Sequence, residues 1–429
     1  MAAHTTTPKT PPLSSLVTET LHGLSPIQTI MKMTEHHHLT ALGLKPDDVI
    51  SFGGGWCDHL APEALRTIYQ QIITDPALFH QSGRYSAIKG SHACREQLAA
   101  FEQRIFHVNN LTPDNLLIGQ SSTQLFHDIL RVLCNPGDTI LFLDPAYANY
   151  FNAVRCALPT SLWHFLPALD PQSWTYLSDP QRTLTELDTL CRQNPRCKAL
   201  VVTVPDNPTS QIPSDAFIKE AEEILTRHHR FLILDFAYKA LWFDAMPDCF
   251  SWSPLEHPNV VSLHTNSKWL SSLGRRFGWA EANPTIIAGL EKINESVLLS
   301  PDTLHSMTTA RFLQETLDDR SLPSYIETIR KLYRDTASIL LHAMDKHLDW
   351  PKLTPAGGLY TCSPIPGDTP PFEFVDRLLR ATGVLVIPGT GFGPSMEHGI
   401  RLSYGPLCRT PEKIREGIER IGDYFEKEK

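Results

Sequence analysis

Five short apolar runs recur through the middle of the chain, and they constrain its fold more than any other feature. They are Asn115-Leu116-Leu117-Ile118, Thr139-Ile140-Leu141-Phe142-Leu143, Ala199-Leu200-Val201-Val202-Thr203-Val204, Phe231-Leu232-Ile233-Leu234 and Val260-Val261-Ser262-Leu263. Each ends at a polar, Gly or Pro residue, and segments with helical spacing lie between them. A strand with one face in water alternates apolar and polar residues. A run without alternation is a strand buried on both faces, as in a parallel sheet covered by helices. The pattern predicts an α/β fold, with a large domain over residues 65–299 built on a mostly parallel central sheet.

Beyond residue 300 the pattern changes and predicts a smaller α/β C-terminal domain over 300–429. It holds a long helical stretch at about 303–347. Strand-like pieces follow at Leu359-Tyr360-Thr361-Cys362, Val384-Leu385-Val386-Ile387 and Ile400-Arg401-Leu402-Ser403, with a last helix from Pro411. At the other end, residues 1–14 are rich in Thr and Pro and read as a disordered tail. Residues 15–64 read as an N-terminal arm and part of the small domain, helical to about Leu44. Consecutive residues on a helix point in different directions, so His36-His37-His38 reads as a solvated face and no metal site is expected.

Charge and cysteine content narrow the function. Among 429 residues, Lys plus Arg is 38 against 47 Asp plus Glu, a net charge of -9. That argues against a nucleic-acid binder, which needs a basic excess or patch. The nine Cys are scattered without a Cys-x-x-Cys pair, which reads as reduced thiols in a cytoplasmic protein. No apolar run approaches membrane-helix length and no secretory signal is visible, so no membrane partner is expected.

In open parallel sheets, ligands bind at the carboxyl ends of the strands. Gly119-Gln120-Ser121-Ser122-Thr123 follows the first run and opens a helix. Free N–H groups, the helix dipole and three hydroxyls there suit a phosphate, and taken alone they equally fit an ordinary helix cap. Asp206-Asn207-Pro208-Thr209 follows the third run, Asp235-Phe236-Ala237-Tyr238 the fourth, and Thr265-Asn266-Ser267-Lys268 the fifth. A carboxylate, an amide, a phenol and a lysine thus stand at strand ends, which structural need alone does not require.

With these residues the sequence resembles a fold-type I, pyridoxal-phosphate-dependent enzyme of the class I/II aminotransferase family, from about Ile50 to Phe425. Ser267-Lys268, followed by Gly274, Arg276 and Gly278-Trp279, is similar to the family's lysine motif. The resemblance implies the PLP-transferase fold, with Lys268 holding the cofactor as a Schiff base and acting as the catalytic base at Cα. It implies that Arg276, Thr265, Ser121, Ser122 and Thr123 meet the cofactor phosphate and Asp235 the pyridine nitrogen. Asn207 and Tyr238 are then the partners of the ring's phenolic oxygen, and Tyr147 stacks on the ring. Tyr85 matches a tyrosine that reaches the neighbouring subunit's phosphate, so a homodimer is implied. Arg401 matches the arginine that binds the substrate carboxylate, with Gly55 beside it.

The implied activity is transamination between an α-amino acid and a 2-oxo acid. The chain departs from the family pattern at Ser210, at Ser271-Ser272 and in Trp56-Cys57-Asp58-His59. Trp56 and His59 are expected to line the substrate mouth. Elimination, cyclisation or decarboxylation start from the same Schiff base, and the sequence does not separate them from transamination. A regulator using this fold as an effector sensor needs an appended DNA-binding domain, and only a short tail and one helix precede the fold.

Overall fold

The computed structural model describes residues 14–20, 32–33 and 35–427. The tail expected at 1–14 lies almost wholly outside the described residues.

Seven strands form the main sheet: β1 (Leu116–Gly119), β2 (Thr139–Asp144), β3 (Leu162–Pro167), β4 (Cys197–Thr203), β5 (Phe231–Asp235), β6 (Val260–Thr265) and β7 (Gly278–Glu281). Their spatial order is β1-β7-β6-β5-β4-β2-β3. β7 runs antiparallel to both neighbours and the other pairs are parallel. The apolar runs explain the layering. Successive strand residues point to opposite faces, and here they join different cores. Leu141, Leu143, Leu200, Val202, Leu232 and Leu234 pack into one core. Ile140, Phe142, Ala199, Val201, Ile233 and Val261 pack into another. The second core is closed by helices Ser121–Leu133, Asn149–Ala157 and Pro284–Val297. The first is closed by His92–Phe106, Pro180–Gln193, Asp215–Arg227 and the C-terminal helices.

A smaller antiparallel sheet joins β8 (Tyr360–Pro364), β9 (Ile387–Pro388) and β10 (Gly399–Ser403) in the order β8-β10-β9. It carries Arg401 on its central strand.

The structure corrects four sequence expectations. The helical stretch at 303–347 is two helices, Thr303–Asp318 and Ser321–His347, broken where Arg320 turns left-handed (φ 61°) and Asp319 accepts from the Ser321 N–H. The strand-like piece at 384–387 is shared between two sheets. Val384–Leu385 pairs with Ile50–Ser51, and Ile387–Pro388 with Gly399–Ser403. β3 and β7 were not expected as strands. β3 alternates weakly at an edge, and β7 is four residues long and begins at glycine. In the N-terminal arm, the described helices are Ser15–Thr20 and the short His36–Ala41 turn, in which His36 and His37 are exposed.

Candidate active site

The carboxyl ends of β1, β2, β4, β5 and β6, with loops from the small sheet, enclose a cavity of about 360 Å³. One end of it is built by close backbone approach. Gly278 pairs with both Gly119 and Thr265 across the sheet. A Cβ there would stand 2.5 Å from the His264 carbonyl oxygen and 2.9 Å from Ser121 Cα. Only glycine lets the first turn of helix Ser121–Leu133 sit so near β6. Arg276 donates to the Ser121 hydroxyl, and to the Leu273 carbonyl at 2.7 Å. Thr265 donates to the Phe277 carbonyl at 2.9 Å and stands 2.7 Å from the Ser267 hydroxyl. The start of helix Ser121–Leu133, the hydroxyls of Ser121, Ser122, Thr123 and Thr265, and the Arg276 guanidinium therefore line the same end of the cavity, a set that suits an oxyanion.

The middle of the cavity carries Asp235, 5% exposed at the end of β5. Its carboxylate accepts from the Tyr150 hydroxyl at 2.6 Å and from the Ala237 N–H at 2.9 Å. Burial pushes its carboxyl up to about 6. Tyr238 is hydroxyl to hydroxyl with Tyr360 at 2.6 Å, and burial raises its phenol well above the ordinary value. Tyr147 lines the same space, its phenol pushed up to about 12 by burial. Lys268 donates to the Gly55 carbonyl at 2.5 Å, its Nζ 5.5 Å from the Tyr238 ring.

The far wall carries Arg401. It donates to Asn207 Oδ1 at 2.9 Å and to the Gly53 carbonyl at 3.1 Å. Its guanidinium carbon lies 4.4 Å from the Tyr360 ring and 5.2 Å from Phe392. Its buried Nε–H has no acceptor among the described residues. Burying an unpaired donor is costly, and this one is open to an acceptor that arrives with a ligand.

The structure thus gathers Ser121, Ser122, Thr123, Tyr147, Asn207, Asp235, Tyr238, Thr265, Lys268, Arg276, Arg401, Gly55 and Trp56 around one cavity. One residue expected at the mouth, His59, is not among them. His59 turns away from the mouth and is buried. Its Nδ1 lies 2.7 Å from the Tyr333 hydroxyl, and its Nε2 3.1 Å from that of Tyr325 and 3.2 Å from the Trp269 carbonyl. It ties the glycine loop to the lysine loop, as Cys57 does by donating to the Lys268 carbonyl at 3.1 Å. Tyr85 is 84% exposed and lies outside the cavity of its own chain.

Tyr150, Tyr360 and Phe392 were missed. Tyr150 had a signal: it sits three residues after Tyr147, on the helix that follows β2. Also unforeseen is a buried cluster behind Thr265, which lines both spaces. Lys239 donates to Glu102 at 2.6 Å, and His264 lies 3.5 Å from both Glu102 and Glu281. Burial, then the nearby Glu102 charge, pushes Glu281 up to about 8, and burial holds His264 well below its ordinary value. Glu102, His264 and Glu281 bring ligand-type atoms within 4.8 Å of one another, but the Lys239 ammonium already occupies Glu102. All nine cysteines are free, with Cys191 and Cys197 sulfurs 3.9 Å apart. Among the described residues no helix is long and apolar enough to cross a membrane.

The family model for aminotransferases of class I and II matches residues 47–421. L-glutamine--4-(methylsulfanyl)-2-oxobutanoate aminotransferase of Bacillus subtilis is 25% identical over 379 residues, covering 87% of this chain and 88% of that protein. LL-diaminopimelate aminotransferase of Gloeobacter violaceus is 27% identical over 380 residues, covering 87% and 90%. Among solved structures, Thermus thermophilus aspartate aminotransferase with maleate superposes with a TM-score of 0.81 at 23% identity, covering 96% of this chain and all of that one. At that identity the superposition speaks to the fold alone.

Proposed function

The chain belongs to the aminotransferase class I and II family, and from that premise we propose that it binds pyridoxal 5'-phosphate and transfers the amino group of an α-amino acid to a 2-oxo acid, with Lys268 as the covalent anchor and base. The observation that carries the reading is one cavity with three separated stations. There is an oxyanion site at Ser121, Thr265 and Arg276, a buried carboxylate at Asp235, and an arginine at Arg401 with an unpaired N–H.

The residues fit the cofactor. Asp235 is buried and held by a phenol and an amide, with no ion pair among the described residues. Asp235 would thus hold a protonated pyridine nitrogen, whose positive charge it lacks in the protein. The phosphate belongs with Arg276, Thr265 and the helix start, the phenolic oxygen with Asn207 and Tyr238, and the ring face with Tyr147. When bound, the cofactor supplies an electron sink for the substrate's Cα. The chain's residues do the rest. Arg401 orients the substrate by its carboxylate, a planar fork that Lys could not offer. Asn207 and the Gly53 carbonyl hold that fork in place. With the cofactor bound, the Lys268 amine would be the base that takes the proton from Cα. The free amine has a hydrogen-bond partner in the Gly55 carbonyl.

The exposed Tyr85 supports a homodimer in which each subunit completes the other's phosphate site. The free thiols support a cytoplasmic location. Borohydride reduction of the holoprotein followed by peptide mapping tests the assignment. The cofactor should be fixed on Lys268, and finding it on another lysine would overturn the reading.

A further inference from the structure

The charged side chains of the cavity each have a task already. Among the described residues, four charged side chains line it: Asp235, Lys268, Arg276 and Arg401. On the reading above, Asp235 meets the ring nitrogen, Lys268 anchors the cofactor and serves as base, Arg276 holds the phosphate and Arg401 the substrate carboxylate. None is left for a charged substrate side chain.

The wall beside the substrate station is aromatic. Arg401 is flanked by the faces of Tyr360 and Phe392. Trp56 stands at the mouth, 41% exposed and part of the lining. Its position is built in. A Cβ on Gly54 would stand 2.2 to 2.4 Å from the Trp56 ring, so the indole lies flat on a backbone that only glycine leaves bare. The Trp56 backbone is pinned as well: a Cβ on Gly405 would stand 2.5 Å from its carbonyl oxygen, and the next residue, Cys57, is bonded to the Lys268 loop. A large indole backed by the Gly54 backbone and partly open to solvent offers apolar contact to a ligand side chain.

We propose that Trp56 is the specificity-determining residue of this site, and that the enzyme takes amino acids with a neutral aromatic or large apolar side chain and discriminates against those with a second carboxylate. The inference rests on the aminotransferase reading. A side-chain carboxylate entering this cavity would lose its water without gaining a cation, a penalty that a phenyl group does not face.

The test uses the holoenzyme and two analogues that lack an amine and so cannot react: 3-phenylpropanoate and succinate. Both present one carboxylate to Arg401 and differ at the other end. Calorimetry should give a dissociation constant for 3-phenylpropanoate at least about tenfold below that for succinate, the scale of one good aromatic contact with no opposing desolvation. In Trp56→Ala the gap should shrink several-fold, by weaker binding of the phenyl compound. Succinate binding as tightly or more tightly, as it would if the partner subunit supplied a cation, overturns the proposal. A preference unchanged in Trp56→Ala overturns the role of Trp56. If neither analogue binds, or if Arg401→Lys weakens neither, then the carboxylate station itself is misassigned and the aminotransferase reading fails with the inference.

Discussion

Two sets of charged residues lie on either side of Thr265, and they handle charge in opposite ways. In the cavity, each charge is held by a neutral partner: Lys268 by the Gly55 carbonyl, Arg276 by the Ser121 hydroxyl, Arg401 by the Asn207 amide, Asp235 by the Tyr150 hydroxyl. In the cluster behind, Lys239 is spent on Glu102, and His264 is wedged between two carboxyl groups. A neutral partner fixes a charged group's direction without cancelling its field. A charged partner cancels the field and leaves an element of structure. The first arrangement suits binding and catalysis, the second the joining of β6, β7 and helix His92–Phe106.

The comparison can be broken at several points. The largest effect should follow Lys268→Ala, which removes anchor and base together and should cost more than about 10³-fold in kcat. A holoprotein assay showing less than a tenfold loss would contradict the role of the lysine. Next in size is Glu102→Gln in the cluster. It leaves the Lys239 ammonium buried without its counter-ion and should cost about 3 kcal/mol of stability in denaturant unfolding. The pair Glu102→Leu with Lys239→Met should recover most of that loss, since an apolar replacement of a buried ion pair is often close to neutral. Failure of the pair to recover would mean that the cluster does more than hold the fold.

Arg401→Lys keeps the charge and loses the fork, and should cost about 2 kcal/mol in kcat/KM for every amino-acid donor alike. An unchanged value for the best donor would mean that its carboxylate binds elsewhere.

The smallest effect is a pH dependence. Burial raises the Asp235 carboxyl to about 6 from an ordinary 3.8. A raised carboxyl favours the protonated folded state. Its stabilising contribution is therefore complete below about pH 4 and is lost as pH rises through about 6. Without cofactor, wild type should lose stability relative to Asp235→Asn across that window, by at most about 1.4 kcal/mol per pH unit. Added cofactor should abolish the difference. Parallel curves without cofactor would show that Asp235 is not strained by its burial.

The contrast also separates what the sequence discloses from what it hides. Asp235, Thr265 and Lys268 were legible because they stand at or just beyond the ends of apolar runs, where local pattern marks the strand. Arg401 was legible through the resemblance. The cluster was not legible: Glu102 lies on a helix, Lys239 in a loop, His264 and Glu281 on neighbouring strands, and only the packed fold brings them together. Nothing in the local sequence around them marks them as buried. His59 was misread for a related reason. Nearness to Gly55 in sequence said nothing of the side chain's direction, and packing against Tyr325 and Tyr333 turned it inward. The break at Arg320 was hidden because its flanks both carry helical spacing.

The central claim is transamination by residues whose charges are kept free for the ligand. A single-turnover experiment tests it most directly: holoprotein mixed with one amino acid, phenylalanine for instance, in the absence of any acceptor. The account predicts one equivalent of the 2-oxo acid per active site, the cofactor left in its amine form, and no further turnover until a 2-oxo acid is added. Continued product formation without an acceptor, with release of ammonia or carbon dioxide and the cofactor still in its aldehyde form, would contradict it and point to elimination or decarboxylation.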